Sequence, residues 1–588
     1  MKNEIIPIFY ACDDNFIKYT AVSLSSIIKN ADKERLYHVH ILHTEISEDM
    51  MGVIKALENE SFKIFFDNVS PYLESIKDKL PTRHYYTKTT YYRFFIAPMF
   101  PEYEKAIYID SDTVVLGDIS RLWDSDVGEN LVGAAHEQVM VQDKVYGEYC
   151  ESVVGVSRHA FFNAGVLLIN CRRFLEFSVL NKFMRLLGEY NFIVTQDEDY
   201  LNLICKDRVF WLDQRWNTEL AEELVHPYPD SEAFILHYIM TSKPWHYRNS
   251  RCAEIFWEYA KKLESVYPLL KAELDSYTDC DRERDRLSGE TLRQMALGEI
   301  AREDNYQGRL NAKRDSERVR VAKKIREYER EGKFDLDVEN DPPSRVLLPG
   351  EIDYLRTSLG ARLRTARATR MARRFLKFII KKKLMVIKEI HGIENLRSVS
   401  GGAVICANHF NPFDTFALHV AFTEAFGKKK RLYRVIREGN YTSFPGFYGY
   451  LMRNFYTLPL SSDRRTLAKF TSAADTLISD GNFVLVYPEQ SMWYNYRKPK
   501  PLKPGAYRFA VKNNVPVVPI FTTMRDSETL GEDGYPIQEY TIHIAPPIYP
   551  DESLSYKDCI SDLMDKNFAV WREIYETEYG MPLDYSSL

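Results

Sequence analysis

"AIYIDSDTVVLGDISRLWDSDVG", residues 106–128, decides how the first half of the chain is read. An apolar run of strand character ends in Asp110-Ser-Asp112, so two carboxylates leave the strand two positions apart. Acids at i and i+2 can offer oxygen ligands to a divalent cation, and such a cation can neutralise a diphosphate leaving group. Upstream, apolar runs alternate with helical patterns. The order is IIPIFYAC, a helix over 16–31, LYHVHILH, a helix after Ser47, FKIFFDNV, a helix near Thr90, then KAIYID. This βαβα order predicts an α/β fold with a mostly parallel sheet covered by helices, which binds ligands at the carboxyl ends of its strands. Asp13 to Asn15 follow the first strand and should open on the same edge as Asp110 to Asp112.

The chain has 588 residues, 45% of them hydrophobic, enough for at least two domains. Its net charge of -6 excludes an overall polycation and a strongly acidic disordered chain. The average hides a split, because residues 355–388 hold seven Arg and five Lys with no acid. Eight cysteines lie singly without a CxxC pair, which suits reduced cytosolic thiols. The start MKNEIIPIFYACDD lacks the layout of a signal peptide, and no run reaches the roughly 18 apolar residues of a membrane span. A cytoplasmic location is therefore expected. Near residue 270 the composition turns to dense mixed charge, and NDPPS and LPG break any helix near 340–350. A second α/β alternation begins with GGAVICAN, continues through FVLVYPE and VPVVPIF, and ends in YTIHIAPPIYP before a last helix. The expected division is 1–270, a charged helical linker over 271–350, and a second α/β domain over 351–588.

The stretch from Thr87 to Gly128, with ACDDNF after the first strand, FNAGVLLIN, QDEDYLN and LHYIMTSKPW in that order, resembles glycosyltransferase family 8, a retaining, metal-dependent group. The resemblance implies a Rossmann-like nucleotide-diphospho-sugar transferase fold with Asp110, Asp112 and His237 holding Mn²⁺ or Mg²⁺. It places Lys243 on the diphosphate, where an ammonium stabilises the departing nucleotide. Asp13 and Asn15 match uridine contacts, with Phe16 offering a ring face to the base, and Arg93 matches an arginine by the donor sugar or phosphate. Asn163 and Gly165 would let the backbone approach the sugar, since glycine has no Cβ. Asp197 and Asp199 correspond to the family's acids. Glu198 replaces its usual glutamine beside the reacting carbon, where a carboxylate could stabilise an oxocarbenium-like transition state or attack it.

In ANHFNPFDT, His409 and Asp414 follow the strand AVIC. A histidine can take a hydroxyl proton while a carboxylate fixes its tautomer. With VYPEQSMW, KPGAYRFA and VPVVPIF, this string resembles the glycerophospholipid acyltransferases over about residues 385–525. The resemblance implies His409 as general base, Asp414 as its orienting partner, Glu489 with its neighbours at the acceptor site, and acyl-CoA or acyl carrier protein as donor. Where that family commonly reads Pro-Glu-Gly-Thr-Arg, this chain has Pro488, Glu489, Gln490, Ser491 and Met492, so the phosphate-gripping arginine is missing. That family's second block carries an arginine after an apolar strand, for which FYTLPLSSDRR offers Arg464 or Arg465 only at a shifted spacing, and Lys503 could supply charge instead.

The basic segment interleaves arginine with Leu359, Leu363, Met371, Phe375, Leu376, Phe378, Ile379 and Ile380. A helix there would lie in the headgroup layer of an anionic membrane, each cation contributing about 1 kcal/mol. Packing on its own domain, or a nucleic-acid arm, are the other readings. Together these expectations describe a peripheral bifunctional enzyme on the inner membrane face. One domain would transfer a hexose from UDP-glucose or UDP-galactose, and the other would acylate a lysophospholipid or glycolipid hydroxyl, with no nucleic acid expected as partner. The alternatives are a glycosyltransferase with an inactive membrane-docking second domain, and a nucleic-acid-binding protein.

Overall fold

The computed structural model describes residues 4–73, 88–339 and 344–585, so most of the expected NDPPS break lies outside them. The chain divides into two units, Met1–Leu310 and Asn311–Ser587. The segment expected as a separate linker over 271–350 is shared between them.

In the first unit the apolar runs pair as strands. β1 (Ile5–Ala11), β2 (Leu36–His43), β3 (Phe62–Asn68) and β4 (Lys105–Ile109) form a parallel half-sheet. Then follow β5 (Thr113–Val115), β6 (Val132–His136), β7 (Phe162–Asn170), β8 (Val209–Trp211), β9 (Thr218–Glu219) and β10 (Ile235–His237). The seven-stranded order is β3-β2-β1-β4-β7-β6-β8. β1 sends Ile6, Ile8 and Tyr10 into one core and Phe9 and Ala11 into the other, as expected of a strand buried on both faces. The sheet is mostly parallel, as expected: six of its seven strands run the same way, and β7 is antiparallel to both β4 and β6. That reversal matters for the site: it brings the first residues of β7 beside the carboxyl end of β4. A small sheet, β5-β10-β9, pairs His237 with Thr113 and so carries the histidine to the Asp110–Asp112 turn. The helices used below are α1 (Ile17–Asn30), α2 (Asp197–Cys205) and α3 (Asp279–Ala301).

The second unit is a seven-stranded sheet ordered β11-β17-β16-β12-β15-β13-β14. Its strands are β11 (Val386–His391), β12 (Ala403–Ala407), β13 (Leu432–Ile436), β14 (Thr457–Pro459), β15 (Phe483–Val486), β16 (Val517–Leu530) and β17 (Pro536–Ile544). Only the β16–β17 pair is antiparallel. Its helices include α4 (Ser316–Arg330), α5 (Leu359–Lys381), α6 (Asp414–Phe426), α7 (Gly446–Asn454) and α8 (Tyr556–Tyr579).

The basic segment is α5. Small residues, Ala361, Thr365, Ala368 and Ala372, form its buried stripe, with Ile379 at the end. Four of its large apolar side chains turn outward instead, Leu359 being 78% exposed, Leu363 72%, Phe378 51% and Ile380 45%, while Phe375 and Leu376 pack against the core. Phe375 packs on Phe447 and Tyr448 of α7, both exposed. Among the described residues no helix is long and apolar enough to cross a membrane.

Candidate functional site

The Asp-Ser-Asp turn is held from three sides. The Asp110 N–H donates to the Gly165 carbonyl (2.8 Å), the Tyr238 N–H donates to the Asp112 carbonyl (2.9 Å), and Thr113 Oγ1 donates to the Asp110 carbonyl (2.9 Å). Hydroxyl contacts from α1, Thr20 to Ser111 and Ser23 to Thr113, each 2.8 Å, complete the clamp. Asp110, Asp112 and His237 thereby converge, with one ligand atom from each all within 4.8 Å of one another.

A relay of amides orients the histidine. Asn163 Nδ2 donates to Glu137 (2.5 Å), while Asn163 Oδ1 accepts from the Gly165 N–H and from Asn217 Nδ2, each at 2.8 Å. Asn217 therefore turns its oxygen to His237 Nδ1, at 2.9 Å. With its proton on Nδ1, His237 presents the lone pair of Nε2 to Asp112 Oδ1 at 3.3 Å. Two lone pairs at that separation repel, and a cation between them satisfies both. Two carboxylate oxygens and one oriented imidazole nitrogen therefore fit a divalent metal. Burial would raise Asp112, but the Lys243 ammonium at 2.5 Å outweighs it and holds the carboxyl well below the usual range.

The remaining expected residues divide into those brought to this cavity and those that are not. Phe16, Arg93, Asn163, Asp197, Glu198 and Lys243 line it with the triad. Arg93 is buried under the site, not on a helix surface, and bridges Asp110 (3.1 Å) and Asp197 (3.3 Å) while lying over the Tyr108 ring. Asp13 and Asn15 are not among the lining residues. Asp13 Oδ1 accepts from the N–H groups of Asn15 and Phe16 and starts α1, and Asn15 is exposed. Gly165 was expected beside the sugar, but it lies beneath the triad. A Cβ there would stand 2.3 Å from His237 Cε1 and 2.9 Å from Asp110 Oδ2, so glycine makes room for the ligands.

Carboxyl groups crowd one wall. Glu198 Oε1 accepts from the Ala164 N–H (2.6 Å), and burial next to Glu137 pushes Glu198 well above the ordinary range. Burial likewise lifts Asp197 to about 6 and Asp199 to about 7. Asp199 does not line the cavity. It is fully buried and accepts from the Thr195 N–H, Thr195 Oγ1 and Tyr149 OH. Gln196, which precedes these acids, has φ 54° and ψ -111°, a conformation costing a non-glycine residue about 1–3 kcal/mol. The strain sits where α2 must point its first acids into the cavity. Glu137 and Asn217 belong to no motif and act through partners distant in the chain, so no signal in the sequence marked them.

In the second unit, His409 Nδ1 meets Asp414 Oδ2 at 2.6 Å. Tyr487 OH donates to the other oxygen of Asp414 (2.8 Å), and its ring stacks on the imidazole. With Nδ1 donating, Nε2 is the basic nitrogen. Glu489, expected at the acceptor site, is buried, and its two oxygens take the N–H groups of His409 (2.9 Å) and Lys500 (2.8 Å). It braces the histidine loop. Nor are the expected replacement cations drawn to it: Arg464 is exposed at a helix start, and Lys503 pairs with Asp335 at 3.2 Å. The buried cation is Lys500, whose ammonium donates to Ser491 and lies 3.9 Å from Glu489, with burial lowering it to about 8. Arg437, at the carboxyl end of β13, donates to the Gln490 carbonyl at 2.7 Å. Gln490 itself has φ 68° at the position where the resembling family commonly has glycine.

Comparison with known proteins follows the same division. Residues 7–249 match the model of Glycosyl transferase family 8, and residues 388–523 match that of Acyltransferase. A Haemophilus influenzae protein with a provisional glycosyltransferase name is 31% identical over 252 residues, 42% of this chain and 74% of that protein. The lipopolysaccharide 1,3-galactosyltransferase of Salmonella typhimurium is 28% identical over 252 residues, 41% of this chain and 72% of that protein. Among solved structures, the galactosyltransferase LgtC in complex with donor and acceptor sugar analogs is 25% identical, covering 44% of this chain and 96% of that one, with a TM-score of 0.37.

Proposed function

Because this chain belongs to glycosyl transferase family 8 through residues 7–249 and carries an acyltransferase domain at 388–523, we propose that it is a bifunctional enzyme of glycolipid or surface-glycan synthesis. The first unit transfers glucose or galactose from a UDP-sugar with retention, using Mn²⁺ or Mg²⁺. The second moves an acyl group from CoA or acyl carrier protein to a hydroxyl of a lysophospholipid or glycolipid. The convergence of Asp110, Asp112 and His237, with the histidine tautomer fixed through Asn217, carries this reading.

When bound, the cation supplies charge neutralisation for the departing nucleoside diphosphate. Lys243, lining the same cavity, adds a positive point charge for the diphosphate, and Phe16 offers its ring to the base. Arg93 keeps Asp110 and Asp197 together, and Glu198 supplies the carboxylate beside the reacting carbon. In the second unit, His409 Nε2 takes the acceptor hydroxyl's proton as that oxygen bonds to the thioester carbonyl carbon. The carbon–sulfur bond then breaks, and the proton passes from His409 to the departing thiolate. Asp414 holds the imidazolium that forms between these steps. The outward Leu359, Leu363, Phe378 and Ile380 among the arginines of α5 support attachment to an anionic membrane surface, where both acyl acceptor and product reside.

The test is an incubation of the purified chain with UDP-glucose or UDP-galactose, acyl-CoA, Mn²⁺ and extracted lipids. Nucleotide release together with a newly glycosylated or acylated lipid is expected. Absence of both refutes the reading.

A further inference from the structure

The cavity of the first unit has a wall that the family match does not include. α3 begins 30 residues beyond residue 249, yet Ser288, Gly289 and Leu292 line the cavity. The helix is fastened firmly there. Asp285 accepts from Tyr247 (2.8 Å) and Tyr277 (2.6 Å), Arg293 pairs with Asp143 at 2.7 Å, and Leu292 and Ala296 join the core. Its inward stripe runs Asp285, Ser288 and Gly289, Leu292, Ala296, Glu299, the spacing of one helix face. At Gly289 the stripe is open: an added Cβ would meet nothing within 4 Å. A glycine inside a helix costs about 1 kcal/mol relative to alanine, and this one keeps a space clear on the face turned to the cavity.

Apolar side chains join α3 in lining the cavity, beside polar ones such as Thr195 and Thr241. Met140, Ile239 and Met240 line the cavity with Leu292. Met240 is held at φ 54°, in the left-handed region that costs a side-chain-bearing residue about 1–2 kcal/mol. Such strain persists only where the surrounding structure fixes it, and here it sets an apolar side chain at the cavity wall.

We infer that α3 and Met240 form an apolar acceptor subsite, so that the glycosyl acceptor is an amphiphile whose reacting hydroxyl is borne on an apolar stem rather than a free sugar. This rests on the reading of the cavity as a sugar-donor pocket, and the test separates the two. Binding of n-octyl β-glucoside, below its micellar concentration, and of methyl β-glucoside is measured by calorimetry on the full chain with Mn²⁺ and UDP. The octyl compound should bind at least tenfold more tightly. Gly289→Phe, which fills the space without a clash at Cβ, should reduce that preference at least fivefold. Met240→Gly, which accepts the positive φ and removes the thioether chain, should reduce it too. Detergent bound elsewhere on the chain would not respond to these changes. Equal binding of the two glucosides, or a preference unchanged in both variants, overturns the inference. If the preference and its loss are found while the wild-type chain turns over no UDP-hexose, the donor reading fails and the apolar subsite stands.

Discussion

Gly165→Ala is a small change whose cost can be worked out from the contacts around it. Gly165 does not have a left-handed φ, so the added methyl strains no backbone torsion. The conflict is contact alone. The new Cβ lies 2.3 Å from His237 Cε1, whereas carbon atoms pack at about 3.5 Å or more. The imidazole must therefore withdraw by about 1.2 Å, because the glycine is pinned through its N–H to Asn163 and its carbonyl to Asp110. A withdrawal of that size breaks the 2.9 Å bond from Nδ1 to Asn217 and moves Nε2 away from the acidic pair. Overpacking of this kind costs about 1–3 kcal/mol of stability, a few degrees of Tm. Loss of an oriented ligand weakens metal affinity by about 10–100-fold. Titration of Mn²⁺ against UDP-hexose hydrolysis, alongside a thermal melt, measures both. A folded Gly165→Ala protein whose half-saturating Mn²⁺ stays within twofold of wild type would refute the argument that glycine clears space for His237.

Other outcomes follow from the same geometry. His409→Ala should lower acyl transfer by about 10²–10⁴-fold while UDP-hexose hydrolysis persists, as product analysis on one preparation can establish. Glu489→Gln removes the charge facing the buried Lys500 ammonium and should destabilise the second unit by about 3–5 kcal/mol in a denaturant melt. Asp199 lies at about 7 in the folded protein, above its ordinary 3.8. Its contribution is present below pH 4 and is lost as pH rises to 7, so Asp199→Asn should flatten the decline in Tm across that window. Gln490→Gly should leave Tm unchanged or raise it slightly, since it relieves φ 68° at the price of a more flexible unfolded chain.

The strands and their order of alternation were legible because each is a dense apolar run bounded by turn residues. β2, for example, spans the whole of LYHVHILH. The direction of β7 was not legible, since a strand buried on both faces has the same composition whichever way it runs. Asp110, Asp112, His409 and Asp414 could be picked out because blocks of family-like sequence surround them; the i, i+2 and i, i+5 spacings alone are common. The contacts that orient them could not be read in the same way. Asn217 reaches His237 only because β9 and β10 are neighbours, and Glu489 turned out to brace the His409 loop through backbone bonds that carry no side-chain signature. Lys500 rather than Lys503 is the buried cation, and the alternating Lys-Pro sequence around them does not distinguish the two. In α5, arginine and apolar residues could be seen to interleave, but which face was buried depended on four small residues, Ala361, Thr365, Ala368 and Ala372, fitting against the domain.

The most direct measurement is anomalous diffraction from a crystal of the full chain soaked with Mn²⁺ and UDP. One strong peak is expected within about 2.0–2.3 Å of a carboxylate oxygen of Asp110, one of Asp112 and Nε2 of His237. A peak bound elsewhere in the first unit, or His237 left outside the ligand sphere of an ion held by the two acids, would contradict this assignment.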